Sequence, residues 1–318
     1  MSLSLKLLRR QLRAALGPAA IDLAYGFAAR RDWTAIQRLG RCMGFYGYHA
    51  HGKWRRIAFR NVRLAFGDTL SEERIREVVR GAFDNLGTLF LEAMKYSTLP
   101  LEEQLALCTI EGEEHLQAGL AQGRGVITLG GHLGNWELGG QRAMAGGYPV
   151  LPLARLPRSP RIAAKFRELR EREGYRMIDV ADQGLRGVIR ALNENLVVSI
   201  LPDRYAKGHG VTVPFFGHDA HVWQTPALAA RRTGAVVLPA YTLRQPDGTF
   251  RIEIQPPLEL QETRDREADL NANTALTMAV LEAQVRRYPE QYSWTYELWR
   301  PELSPARTVE TVAERVLQ

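Results

Sequence analysis

The stretch Gly125-Val126-Ile127-Thr128-Leu129-Gly130-Gly131-His132-Leu133-Gly134-Asn135-Trp136-Glu137 decides how this chain is read. A short apolar and β-branched run, the composition of a buried strand, ends in a histidine flanked by glycines, with a carboxylate five residues further on. Working outward, comparable runs recur at 150–153, 177–180, 196–201, 236–241 and 250–254, with helical patterns between them at 162–173 and 184–193 and a further helix at 268–287. Strands alternating with helices predict an α/β fold: a mostly parallel central sheet flanked by helices. Residues 33–99 instead read as helical throughout. Ser71 opens a helix whose apolar face carries Ile75, Val78, Val79, Ala82, Phe83, Leu86 and Leu89. The expected organisation is a helical N-terminal membrane-associating segment over 1–100, an α/β core over 101–300 and a polar tail over 301–318.

Composition bounds the function. The chain has 318 residues, 45% of them hydrophobic and 24% charged, enough apolar material for a substantial core. Its two cysteines, Cys42 and Cys108, have no companion at metal-ligand spacing and make no disulfide framework, which fits a reducing compartment. The net charge of +7 is concentrated at one end. Residues 1–60 hold twelve Lys and Arg against two Asp, so the remainder sums to −3. A positive N-terminus suits an anionic surface.

Leu5, Leu8, Leu12 and Ala15 recur at helical spacing with Lys6, Arg9, Arg10 and Arg13 between them, the pattern of a helix lying in a membrane interface. The next apolar stretch, 14–29, is interrupted by Gly17, Pro18 and Asp22 and falls short of the roughly 20 residues a spanning helix needs. No convincing signal-peptide pattern is present. Two amphipathic helices of a soluble protein are the other reading of this segment. Nucleic-acid binding has only the basic charge in its favour, since no binding motif accompanies it.

In open α/β sheets, reactive groups collect where strands end. His132 sits there, and its glycines let the backbone turn tightly. Residues five apart on an ideal helix point about 140° away from each other, so His132 and Glu137 meet only if His132 precedes the first helical turn. A carboxylate bonded to one imidazole nitrogen would fix the tautomer and make the other a general base. From the residues alone a second reading stands beside it, with His132 capping a helix and Glu137 on the surface. The loop with His209, His218, Asp219 and His221 is a weak metal pattern, read here as a polar loop with no metal. No GxSxG elbow supports a serine esterase.

Gly125 through Glu137 resembles the HxxxxD/E block of the bacterial lipid A biosynthesis acyltransferases, a branch of the lysophospholipid acyltransferase superfamily. Other ordered blocks resemble that family too: residues 56–66 (RIAFRNVRLAF), Leu153-Ala154-Arg155, residues 199–204 (SILPDR) and residues 210–217 (GVTVPFFG). The resemblance implies acyl transfer from an acyl carrier protein or coenzyme A thioester to a hydroxyl of a membrane lipid, with His132 as base, Glu137 as its orienting partner and no resident cofactor. It makes Arg155 the candidate for the thioester oxyanion or a substrate phosphate. Asn135, Asp203 and Arg204 join it as substrate-binding candidates, with a structural salt bridge the competing role for the last two. The implied partners are anionic membrane lipids, acyl carrier protein and a glycolipid or phospholipid acceptor, and the implied location is the cytoplasmic face of a bacterial inner membrane. The sequence departs from the family pattern at His221, at 296–300 and in its weaker N-terminal apolar segment, which leaves lysophospholipids and amino-acid lipids open as acceptors.

Overall fold

The computed structural model describes residues 17–172, 174, 176–206 and 210–299. The helix expected around Leu5 to Ala15 and the tail from Pro301 onward lie outside the described residues. Residues 17–29 form α1, followed by α2 (Trp33–Ala50), α3 (Gly52–Phe66), α4 (Glu72–Tyr96) and α5 (Leu101–Leu107). The α/β part then runs β1 (Cys108–Glu111), α6 (Glu113–Ala121), β2 (Val126–Leu129), α7 (Trp136–Ala145), β3 (Val150–Ala154), α8 (Pro160–Arg172), β4 (Ile178–Asp179), α9 (Gly184–Asn193) and β5 (Val197–Ile200). A hairpin of β6 (Gly210–Phe215) and β7 (His218–Trp223) follows, then α10 (Thr225–Thr233), β8 (Val236–Arg244), β9 (Phe250–Ile254) and α11 (Arg266–Arg287). No described helix is long and apolar enough to cross a membrane.

Seven strands form one sheet in the order β1-β9-β8-β2-β5-β3-β4, parallel throughout except where β8 and β9 run antiparallel. The central strands are buried on both faces, which is why they read as continuous apolar runs rather than alternating ones. Ile127 and Leu129 of β2 pack with Val188 and Leu192 of α9 and Ala229 of α10. Val126 points to the other face with Val197, Leu238, Leu116 of α6 and Leu138 of α7. Helices therefore cover both sides, as the alternation predicts. The antiparallel β6-β7 hairpin and the edge strand β1 are additions to the expected set, too short or too polar to stand out as apolar runs.

Within the helical layer, α2 and α4 cross closely. A Cβ on Gly44 would come within 2.6 Å of both the Asp84 Cα and the Phe83 carbonyl oxygen, so only glycine lets the two backbones approach this far. Ser71 caps α4 by accepting from the Arg74 N–H at 3.2 Å. A second core cluster fills the space between the helical layer, α11 and the hairpin. Trp294 is fully buried in it, with Phe66, Phe215, Phe216, Tyr292 and Trp299 around it. The two tryptophans are thus core residues, and the Pro214 to Gly217 aromatics pack there too.

Candidate active site

Register explains why the loop after β2 is so well held. Leu129 of β2 pairs with Pro239 of β8, and β8 continues for five more residues alongside 130–135. The Asn135 N–H donates to the Thr242 carbonyl at 2.8 Å, while on the opposite side Ser293 N–H donates to the His132 carbonyl at 2.9 Å and Gly134 N–H to the Gln291 carbonyl at 3.0 Å. Gly134 needs its left-handed φ of 65° to fit between them. The loop is clamped like an irregular strand.

Parallel β5 ends beside it, and Asp203 and Arg204 follow that end at once. Asp203 Oδ1 lies 2.8 Å from His132 Nδ1, and its Oδ2 accepts from the His132 backbone N–H at 2.9 Å and from the Tyr292 hydroxyl at 3.0 Å. Arg204 Nε–H donates to His132 Nε2 at 3.1 Å. Since a guanidinium has no lone pair to accept with, Nε2 must be the acceptor, and the ring proton sits on Nδ1, donated to Asp203. Arg204 is held over the Tyr296 ring, its guanidinium carbon 3.1 Å from the centroid, and the imidazole packs edge-on against Trp136 at 4.9 Å and Tyr296 at 5.6 Å between centroids.

Burial alone would push the Asp203 carboxyl up. The positive charge that His132 carries when protonated, the hydrogen bonds from its ring and backbone and the one from Tyr292 outweigh that, so the carboxyl is held below the usual carboxylate range. The Tyr292 phenol is driven far up, first by burial and then by the Asp203 charge, and stays a hydrogen-bond donor.

Two sequence expectations change. The carboxylate on the imidazole is Asp203, not Glu137: both ring nitrogens are engaged by 203 and 204, whereas Glu137 falls in the first turn of α7, where a negative charge complements the helix N-terminus. Asp203, buried and bonded to the imidazole, is placed to orient that ring. Asn135 has no exposed surface and is the N-cap of α7. Its Oδ1 accepts from Leu138 N–H at 3.1 Å and its Nδ2 donates to Glu92 Oε2 at 3.0 Å and the Leu89 carbonyl at 3.2 Å, leaving nothing to offer a substrate. Arg155 is exposed just past β3, at the same sheet edge as His132 but two strands away.

The residues that sequence reading missed lie in a supporting network. Buried Glu92 accepts from Gln37, from Asn135 and twice from Arg244, which also donates to Thr88 at 2.8 Å and to Asn85. Asn85 in turn donates to the carbonyls of Gly134 and Gln291 at 3.0 and 2.9 Å. Asn61 donates to the Trp294 and Tyr296 carbonyls at 2.8 and 2.6 Å, fixing the segment that carries Tyr292 and Tyr296. Beneath the loop, Gly139 and Gly140 of α7 line a small cavity of about 70 Å³ together with Thr128, Ser199 and Leu201.

The model of the bacterial lipid A biosynthesis acyltransferases matches residues 25–301. A lipid A biosynthesis lauroyltransferase of Escherichia coli is 29% identical over 279 residues, covering 86% of this chain and 89% of its own length. A palmitoleoyltransferase of lipid A biosynthesis from the same organism is 27% identical, covering 77% and 78%. A phosphatidylinositol mannoside acyltransferase of Mycolicibacterium smegmatis is 25% identical over 93% of this chain and 96% of its own. With a family match over most of its length, an α/β fold and a histidine block at the mouth of the sheet, this chain belongs to the bacterial lipid A biosynthesis acyltransferase family and is an acyltransferase.

Proposed function

We propose that the enzyme transfers a fatty acyl group from an acyl carrier protein or coenzyme A thioester to a hydroxyl of a membrane glycolipid, with His132 as general base. The observation that carries this reading is the imidazole held between Asp203 and Arg204. With its proton on Nδ1 and a carboxylate behind it, the ring keeps a basic Nε2 for the acceptor hydroxyl once Arg204 swings aside. The hydroxyl proton passes to Nε2 while its oxygen bonds to the thioester carbon. The tetrahedral adduct then expels the thiolate, which takes the proton back from the imidazolium.

Charge on the adduct oxygen needs donors, and Arg204, once displaced, is the nearest guanidinium. Arg155, at the same edge, suits a phosphate of donor or acceptor. A glycolipid acceptor is supported by two of these relatives, a lipid A biosynthesis lauroyltransferase and a phosphatidylinositol mannoside acyltransferase. The location that suits such an acceptor is peripheral, on the cytoplasmic face of an inner membrane.

Lipid mass spectrometry of cells lacking the gene, complemented with wild type or with His132→Ala, tests the assignment. A specific acylated glycolipid is expected to vanish and to return only with wild type. Its return with His132→Ala would sink the role given to that histidine.

A further inference from the structure

Beside the α2-α4 crossing, away from the His132 loop, a surface pocket of about 530 Å³ opens between the two helices. Arg38, Arg41, Phe45 and Tyr48 line it from α2, and Arg80 and Asp84 from α4. None of the three guanidiniums has an ion pair or hydrogen bond to a described residue, whereas Arg63, Arg74 and Arg244 in or against the same helical layer are paired with carboxylates. Asp84, half-buried between them, is pushed up by burial, against which Arg80, Arg41 and Arg244 act. Even with Asp84 ionised the pocket keeps an excess of two positive charges. Three unpaired guanidiniums lining one cavity match a phosphate, whose anionic oxygens accept hydrogen bonds from guanidinium forks.

What surrounds the pocket identifies the source of that phosphate. Every exposed large apolar side chain among the described residues lies in α1 to α5, from Leu23 to Leu105, and Phe45 stands at the pocket itself, 56% exposed. Between Arg30 and Arg63 nine Lys and Arg stand against a single Asp. An exposed apolar surface interleaved with arginines is the signature of a membrane-interface contact rather than of a soluble acidic partner. We infer that the Arg38-Arg41-Arg80 pocket binds the phosphate of an anionic phospholipid headgroup and thereby orients the helical layer on the bilayer. The inference rests on the reading that the acceptor lies in a membrane.

The test is sedimentation of the full-length protein with vesicles of phosphatidylcholine alone or with 30 mol% phosphatidylglycerol at about 0.15 M salt. Arg38→Gln/Arg41→Gln/Arg80→Gln is compared with a charge-matched control on exposed positions elsewhere, Arg232→Gln/Arg264→Gln/Arg266→Gln. The pocket triple is expected to weaken binding to the anionic vesicles at least about tenfold and the control less than twofold. Cys42, exposed at the pocket while Cys108 is buried, supplies a second readout. Anionic vesicles should slow its maleimide labelling, and neither phosphatidylcholine vesicles nor millimolar inorganic phosphate should. Equal losses in both triples would reduce the effect to diffuse attraction and overturn the site. So would protection by inorganic phosphate alone, or unchanged vesicle binding together with a raised KM for an acyl carrier protein donor. Because His132→Ala should bind vesicles like wild type, failure of the acyl-transfer reading and failure of this one are separable.

Discussion

At the scale of single residues, the site turns on which carboxylate faces the imidazole. His132→Ala, which removes the proposed base, should lower kcat by about 10²–10⁴ with vesicle binding unchanged. Asp203→Asn should lower kcat more than Glu137→Gln, because only Asp203 touches Nδ1; steady-state kinetics of the two variants decide it, and the reverse order would return the orienting role to Glu137. Asp203 also links stability to pH. Its carboxyl is held below the unfolded value of about 3.9, so its contribution is complete above that value and is lost as pH falls through the lowered one. Urea melts from pH 5 down to about 3 should therefore show wild type losing stability more steeply than Asp203→Asn. His132 and its place at a strand end were legible in the sequence because glycines and an apolar run advertise them. Its partner was not, since Asp203 lies 71 residues away and only the parallel pairing of β2 with β5 brings the two together.

At the scale of elements, the runs at 126–129 and 250–254 and the helix at 184–193 coincide with β2, β9 and α9. Strands buried on both faces and an amphipathic helix leave strong periodic marks. The hairpin and β1 do not, and neither does the network that holds the active loop, because its members are ordinary polar residues scattered over α2, α4, α7 and β8. That network predicts its own weakness. Arg244→Met leaves Glu92 buried without its cation and should cost about 3–5 kcal/mol, read as a lower urea midpoint. Gly44→Ala forces the α2-α4 crossing apart and should cost about 1–3 kcal/mol, with a lowered Tm. An unshifted Tm would mean that the crossing yields at no cost.

At the scale of the whole molecule, the basic N-terminal half was legible from charge counting, but the geometry that makes it directional was not. Counting gives an excess of arginines. Only the packing of α2 on α4 separates those that are paired from those that are free. One further consequence concerns the order in which the chain is made. His132 and Asp203 emerge from the ribosome well before Tyr292, Ser293 and Tyr296, which brace the histidine loop, Asp203 and Arg204. Trp294, fully buried, closes the core in the same stretch. The helices of the N-terminal layer are therefore synthesised long before the site is braced. Assembly of the site thus waits on residues 292–299, which act as its keystone.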